Sequence, residues 1–132
     1  MRWMPRRGRA LAAGALLAMA VAPIFAASPC RQEVRFRRGA VSATYAGRVA
    51  GYDSCDYVFK ASAGQRLWVS LSGRHSNRVQ AHLLDPGQEA PLSNDSPISL
   101  RQTGDHTVRV VMPRALARRG YTVSYRVTIT IQ

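Results

Sequence analysis

The sequence predicts an all-β domain: an antiparallel β-sandwich of about eight short strands, with a short helical turn near residues 113–119. Two observations support this fold class. Apolar and polar residues alternate repeatedly over short stretches, as in strands that are buried on one face only. Turn-forming residues such as Asp85-Pro86-Gly87 separate these stretches. Two antiparallel sheets that pack face to face require this pattern.

The first 26 residues have the composition of a secretory signal peptide. Several arginines precede an apolar run from Ala10 to Ala22, and Ile24-Phe25-Ala26 ends in a small residue. The apolar run is short for a membrane span. We therefore expect cleavage after Ala26, export to the periplasm and no stable membrane insertion afterwards. Residues 27–132 then form one domain.

The expected mature chain is strongly basic. It has 106 residues, enough for a single core, and 15 Lys and Arg against 7 Asp and Glu give a formal charge of +8. Such a charge favours an acidic partner, and nucleic acid is the usual first candidate. An exported protein rarely meets nucleic acid, and the basic residues are scattered along the chain. We therefore expect no nucleic-acid partner.

Cys30 and Cys55 are the only two cysteines. In an exported protein, one even pair is interpreted first as a disulfide. This bond would tie the mature N-terminus to the start of a strand. His75, His82 and His106 are dispersed and do not form a zinc motif with the cysteines. We expect no metal and no cofactor.

Eight stretches carry the strand alternation. They are Glu33–Arg37, Ser42–Val49, Cys55–Ala61, Arg66–Ser72, Val79–Leu84, Ile98–Leu100, Asp105–Met112 and Val123–Ile131. The last is the clearest, because five apolar residues alternate without a break against Ser, Arg and Thr. The segment from Gln88 to Pro97 is rich in Pro, Ser, Asn and Asp and is predicted to be a loop.

A long basic connection separates the last two strands. It has ten residues, carries Arg114, Arg118 and Arg119, and has no acidic residue. Pro113 and Gly120 are suited to begin and end a helical turn, and on such a turn Arg114 and Arg118 share one face. Long connections are often functional. From spacing alone, both a cationic contact surface and a solvated arginine-rich loop stay open.

The sequence carries no enzyme signature. It has no G-x-S-x-G elbow, no H-E-x-x-H and no phosphate-binding loop. Asp53 and Asp56 bracket a turn and offer two carboxylates, but Asp residues at such positions more often cap the turn. We expect a binding protein rather than an enzyme, with no catalytic residue.

Several ordered motifs resemble the periplasmic inhibitors of g-type lysozyme. The first is VRFRRGAVSATYAGRVAGYDSCDYVF, from Val34 to Phe59, followed by Ala63-Gly64-Gln65. The others are Thr103-Gly104-Asp105-His106, the RALARR segment from Arg114 to Arg119, and YRVTITI from Tyr125 to Ile131. Their order and spacing, more than any single motif, carry the resemblance. It covers nearly all of the mature chain and is weakest from about Gly73 to Ser99.

The resemblance implies a secreted β-sandwich whose loops enter the lysozyme cleft and protect the bacterial cell wall. It implies lysozyme as partner, of the g type, with the i type as the alternative because the related i-type inhibitors share the fold. The implied contact residues are Thr103, Gly104, His106, Arg114 and Arg118, supported by Tyr52 and Asp53. The family's loop typically reads Ser-Gly-x-Tyr, so His106 replaces a tyrosine.

A second resemblance gives an alternative function. Tyr57-Val58-Phe59, Asp85-Pro86-Gly87 and the stretch from Gly104 to Val108 are also similar to the small β-sandwich appended to secreted bacterial peptidases. That resemblance implies an accessory module that binds glycan or protein. In such a module, the residues around His106 begin a strand and have no role in binding. The sequence is compatible with a monomer or a homodimer.

Overall fold

The computed structural model describes Cys30–Gln132, together with Trp3 and Gly14. The expected signal peptide and its cleavage site at Ala26 therefore lie outside the described residues, apart from those two positions. Within the described part of the chain, no helix is long and apolar enough to cross a membrane.

Two packed sheets form the domain, which confirms the predicted all-β sandwich. The strands are β1 (Cys30–Glu33), β2 (Ser42–Ala50), β3 (Ser54–Ala61), β4 (Arg66–Ser72), β5 (Gln80–Asp85), β6 (Gln88–Leu92), β7 (Ile98–Ser99), β8 (Gly104–Val111) and β9 (Thr122–Ile131). One sheet has the order β1-β3-β8-β5-β6, and the other has the order β2-β9-β4-β7. A short helix α1 (Arg114–Ala117) precedes β9, and a 3-10 turn spans Ser76–Arg78.

The first predicted strand lies three residues too far along the chain. The alternation from Glu33 to Arg37 suggests a strand there, but the strand is Cys30–Glu33, paired in parallel with β3. The ladder ends where the Val34 N–H donates to the Val58 carbonyl. The next amide, that of Arg35, donates to the Tyr45 hydroxyl at 2.9 Å. A side-chain acceptor from β2 therefore turns the chain away from the sheet.

The predicted loop from Gln88 to Pro97 contains a strand that the sequence analysis missed. Gln88–Leu92 forms a hairpin with β5, with Asp85 opposite Gln88 across the turn. Pro91 is tolerated because β6 is an edge strand of its sheet, where a missing N–H leaves no partner unsatisfied. Proline and polar residues on an edge strand make it look like a loop in sequence.

The disulfide between Cys30 and Cys55 is present, as predicted. The two cysteines lie directly opposite each other in the parallel ladder of β1 and β3. β1 is only four residues long and all of its residues are exposed, so burial contributes little to holding it. The covalent bond therefore fixes the beginning of the described chain to the edge of its sheet.

A buried hydrogen bond links the two sheets. Tyr57 on β3 and Tyr125 on β9 join hydroxyl to hydroxyl at 2.8 Å, and both side chains are buried. Gly47 on β2 makes room for them, because a Cβ at Gly47 would lie 2.4 Å from the Tyr125 hydroxyl oxygen and 2.6 Å from that of Tyr57. Burial raises the pKa of both tyrosines above the ordinary value.

The raised tyrosine pKa values predict a loss of stability in alkali. In the unfolded chain each phenol ionises near pH 10, whereas the buried pair of Tyr57 and Tyr125 stays protonated. Their contribution is therefore present in full below about pH 10 and is lost as the pH rises further, by up to roughly 1.4 kcal/mol per pH unit for each tyrosine. Urea denaturation followed by circular dichroism across this range measures the slope.

Two variants check this assignment. The double substitution Tyr57→Phe and Tyr125→Phe should flatten the alkaline slope, because neither buried position can then ionise in the unfolded chain. Tyr52→Phe is the matched control, since Tyr52 is 70% exposed, and its slope should equal that of the unsubstituted protein. An unchanged slope in the double variant would contradict the assignment.

Candidate functional site

The predicted contact residues fall into two groups at opposite ends of strand β8. Gly104, at its start, pairs with Ala61, whereas Val111, at its end, pairs with Ser54. Eight residues of strand separate the two ends by roughly 23 Å. Thr103–His106 therefore lies at one end of the sandwich, and the segment with Arg114 and Arg118 follows the other end.

Tyr52 and Asp53 lie at the same end as the two arginines. They belong to the turn between β2 and β3, whose Gly51 N–H donates to the Tyr121 carbonyl at 2.9 Å. A Cβ at Gly51 would lie 3.7 Å from the Ala117 carbonyl oxygen, so this turn rests against α1. We call the residues 51–53 and 113–121 the basic end.

Local structure aims the arginines of the basic end at solvent. Helix α1 begins after Pro113, whose carbonyl accepts the N–H groups of Leu116 and Ala117. Ala117 is buried and anchors the helix in the core. Because Arg114 and Arg118 are four residues apart, they lie on one face, and both are exposed. Gly120, with a positive φ of 71°, ends the segment as expected.

The basic end combines positive charge with exposed aromatic surface. Arg114, Arg118 and Arg119 form no salt bridge with the residues that the structure describes, and Asp53 is the only acidic residue of the two segments. Tyr52 is 70% exposed and Tyr121 37%. Such a surface suits a partner that presents carboxylates beside apolar groups.

Two further residues of this surface were not predicted from the sequence. Tyr121 follows the turn at Gly120, and the Arg78 guanidinium lies 5.1 Å from the centre of its ring. This cation–π contact joins the 3-10 turn to the basic end. Arg78 is 43 residues away in sequence and carries no motif, so only the fold brings it here. An exposed tyrosine beside Gly120 was a weak signal that the sequence did contain.

At the opposite end, His106 faces the core. It is 1% exposed, stacks on Phe59 with ring centres 5.5 Å apart, and its Nδ1 hydrogen-bonds to the buried carboxylate of Asp85. The second oxygen of Asp85 accepts the Thr107 N–H at 3.2 Å. A direct contact between the His106 ring and a partner does not fit this position, because the ring lies beneath the surface.

The other two predicted contact residues of this motif also have structural roles. The Thr103 hydroxyl accepts the Ala63 N–H at 2.9 Å and so fastens the neighbouring turn between β3 and β4. Gly104 has a φ of +134°, a conformation that L side chains rarely adopt. The segment Thr103–His106 therefore shapes the start of β8 and joins it to the turn between β3 and β4.

Among residues 30–132, no three His, Cys, Asp or Glu side chains are grouped as metal ligands would be. Asp56, which the sequence analysis considered as a carboxylate partner of Asp53, binds Arg109 through both oxygens at 2.7 and 3.0 Å. The Asp56 hydrogen bond raises the pKa of Arg109 further above its ordinary value. This pair is a cross-strand ion pair between β3 and β8.

Comparison with known proteins identifies several relatives. No family model matches the chain. A protein of Escherichia coli strain K12 named inhibitor of g-type lysozyme is 36% identical over 126 residues, which cover 89% of this chain and 92% of that protein.

Solved structures with the same fold are periplasmic inhibitors of g-type lysozyme. The inhibitor from Salmonella Typhimurium gives a TM-score of 0.71 at 30% identity over 78% of this chain and 98% of its own. A mutant of the Escherichia coli inhibitor gives 0.72 at 33% identity over 77% and 97%. The inhibitor from Aeromonas hydrophila gives 0.68 at 30% identity over 78% and 96%.

Because His106 and Asp85 are buried together, we expect removal of the Asp85 carboxylate to destabilise the fold. Asp85→Ala removes the acceptor of the His106 Nδ1 and of the Thr107 N–H, which leaves buried donors unsatisfied. We expect the free energy of unfolding to fall by roughly 2–4 kcal/mol, measured by urea denaturation. Asp95→Ala is the control, since Asp95 is exposed, and it should change stability little. Equal stability of the two variants would contradict the role of Asp85.

Proposed function

Because the chain belongs to the family of inhibitors of g-type lysozyme, we propose that it is a periplasmic protein that binds g-type lysozyme, blocks its cleft and so protects the bacterial cell wall. The observation that carries the proposal is that Tyr52, Arg114 and Arg118 are all exposed at the same end of the sandwich. The relatives are named as inhibitors and not as enzymes or accessory modules, which favours this function over the peptidase-appended module.

The chemistry of the basic end suits a glycosidase cleft. Enzymes that hydrolyse glycosides act through carboxylates placed on either side of the scissile bond. A guanidinium fork donates two parallel hydrogen bonds to a carboxylate, and these strengthen where water is excluded. Arg114 and Arg118 project together from a helix that the buried Ala117 holds in place. Tyr52 adds an aromatic ring with a hydroxyl beside them, a residue type enriched at the centres of interfaces.

We propose that only the basic end enters the cleft. Thr103–His106 lies roughly 23 Å away, and its hydroxyl and ring are engaged within the fold. In this proposal, replacing the family's tyrosine by His106 changes the packing against Phe59 and Asp85 rather than the contact with lysozyme. Thr103, Gly104 and His106 then act by shaping the sandwich, while Tyr52, Asp53, Arg114 and Arg118 form the contact.

Substitution of the two arginines tests the contact. Arg118→Ala, and separately Arg114→Ala, should each raise the Kd for g-type lysozyme roughly thirtyfold or more, because each leaves a desolvated carboxylate unpaired. Inhibition of cell-wall lysis, followed by turbidity, gives the effect. Arg38→Ala is the matched control, since it also removes one exposed arginine but lies before β2, away from the basic end.

Three results would contradict the proposal. If the purified protein inhibits none of the g-, i- and c-type lysozymes, the function is wrong. If it inhibits the i type only, the partner belongs to the sister class. If Arg38→Ala weakens inhibition as much as Arg118→Ala, then general positive charge and not the basic end is responsible.

A substitution at the opposite end tests which of the two groups of residues contacts lysozyme. Thr103→Val keeps the size of the side chain and removes the hydroxyl that binds the Ala63 N–H. We expect inhibition to stay within about twofold of the unsubstituted protein, as for surface changes outside an interface. A loss as large as that of Arg118→Ala, in a variant whose circular dichroism is unchanged, would place the contact at Thr103 instead.

We also propose that residues 1–26 are a signal peptide and that residues 27–132 are the working domain. The composition of the first 26 residues supports this. Mass spectrometry of the protein recovered from the periplasm should give a chain that begins at Ala27 and has an intact disulfide. A recovered chain that keeps residues 1–26 would contradict cleavage.

A further inference from the structure

A basic cleft lies on the outer face of the four-stranded sheet. It is widely open to solvent, and its volume is about 710 Å³. Parts of β2, β9 and the loop after β4 form its walls. The lining residues are Ala46, Gly47, Arg48, Gly73, Arg74, His75, Thr122, Ser124, Tyr125 and Arg126. None of the residues proposed to contact lysozyme lines this cleft.

The cleft collects positive charge without any balancing carboxylate. Arg48, Arg74 and Arg126 line it, and no acidic residue does. Within the described ranges, none of the three forms a salt bridge. The outer face of the other sheet differs, because there Arg109 is paired with Asp56 on the adjacent strand.

Strand register brings two of these arginines together. Arg48 on β2 pairs with Ser124, and Arg126 on β9 pairs with Ala46, so the arginines are diagonal neighbours on one face. Diagonal side chains on adjacent strands lie roughly 7–8 Å apart. On the other side of Arg126, Ser72 of β4 is its partner. Small residues therefore surround the arginines, and space opens between the charged groups.

The loop after β4 forms one side of the cleft. Gly73, with a φ of +126°, reverses the chain at the end of the strand, and a Cβ there would lie 3.4 Å from the Ser124 carbonyl oxygen. This close approach brings Arg74 and His75 to the edge of the cleft. Three like charges gathered without counter-ions destabilise the folded protein. A bound anion would remove that cost.

We propose that this cleft binds a small ligand that carries two or more carboxylate or phosphate groups. Arginine forks match the paired oxygens of both groups. The spacing of Arg48 and Arg126 suits a ligand whose anionic groups are several ångströms apart. A single isolated ion fits this spacing less well. The proposal goes beyond lysozyme inhibition and does not depend on it.

Nuclear magnetic resonance titration of the purified protein tests the proposal. The probes are citrate for carboxylates, pyrophosphate for phosphates, and the neutral sugar tri-N-acetylchitotriose as a control without charge. We expect saturable shifts of backbone amides confined to residues 46–48, 73–75 and 122–126 with at least one anion. The anion with the lower Kd identifies the preferred group. The neutral sugar should cause no such shifts.

Matched variants distinguish binding by the arginines of the cleft from attraction by the net charge of the protein. Arg48→Gln and Arg126→Gln should each raise the Kd of the preferred anion about fivefold, the effect of losing one exposed charge-assisted contact. Arg38→Gln carries the same change of charge outside the cleft and should leave the Kd unchanged. The dispersion of the amide spectrum shows directly that each variant is folded.

Three outcomes would overturn the proposal. The first is the absence of saturable shifts with either anion. The second is equal weakening by Arg38→Gln, which would mean attraction by net charge alone. The third is a lack of anion binding combined with lost lysozyme inhibition in Arg48→Gln and Arg126→Gln, which would make the cleft part of the lysozyme-binding surface. Because the titration contains no lysozyme, its failure is distinct from failure of the inhibitor function.

Discussion

The hydrogen bond between the Tyr57 and Tyr125 hydroxyls is the interaction on which the rest of the structure depends. It joins β3 to β9 across the interior, and Gly47 on β2 leaves the space that both rings need. Each of these two strands follows a segment of the basic end. Tyr57 lies five residues after Tyr52, and Tyr125 lies seven residues after Arg118. The buried pair therefore sets the relative position of the two segments of the basic end, and Gly47 and Tyr125 also line the basic cleft.

Paired and unpaired charges are distributed unevenly over the two sheets. On the five-stranded sheet, Asp56 neutralises Arg109, and Asp85 is buried with His106. In the described residues of the basic end and of the cleft, the arginines have no such partners. Free arginines can bind an external carboxylate or phosphate, whereas paired ones must first break an existing ion pair.

The strands were predictable because burial alternates with a period of two in each of them. The bounds of Arg66–Ser72 agree with the prediction, and six other strands agree with it to within one residue at each end. The errors came where an interaction distant in sequence replaced the local pattern. The Tyr45 hydroxyl diverts the chain after Val34, and edge position permits Pro91 in a strand. The burial of His106 was not predictable for the same reason, since its partners Phe59 and Asp85 are more than twenty residues away.

The sequence by itself determined the sandwich, the disulfide, the exposed arginine pair on α1 and the family resemblance. It grouped Thr103–His106 and Arg114–Arg118 as one set of contact residues, although they lie at opposite ends of β8. Only the tertiary structure decided that Tyr52 joins the arginines, that His106 is buried, and that Arg48, Arg74 and Arg126 line one cleft. The physical reason is that alternation and turn chemistry act between near neighbours in sequence. Strand order and register, which bring distant residues together, depend on how the whole chain packs.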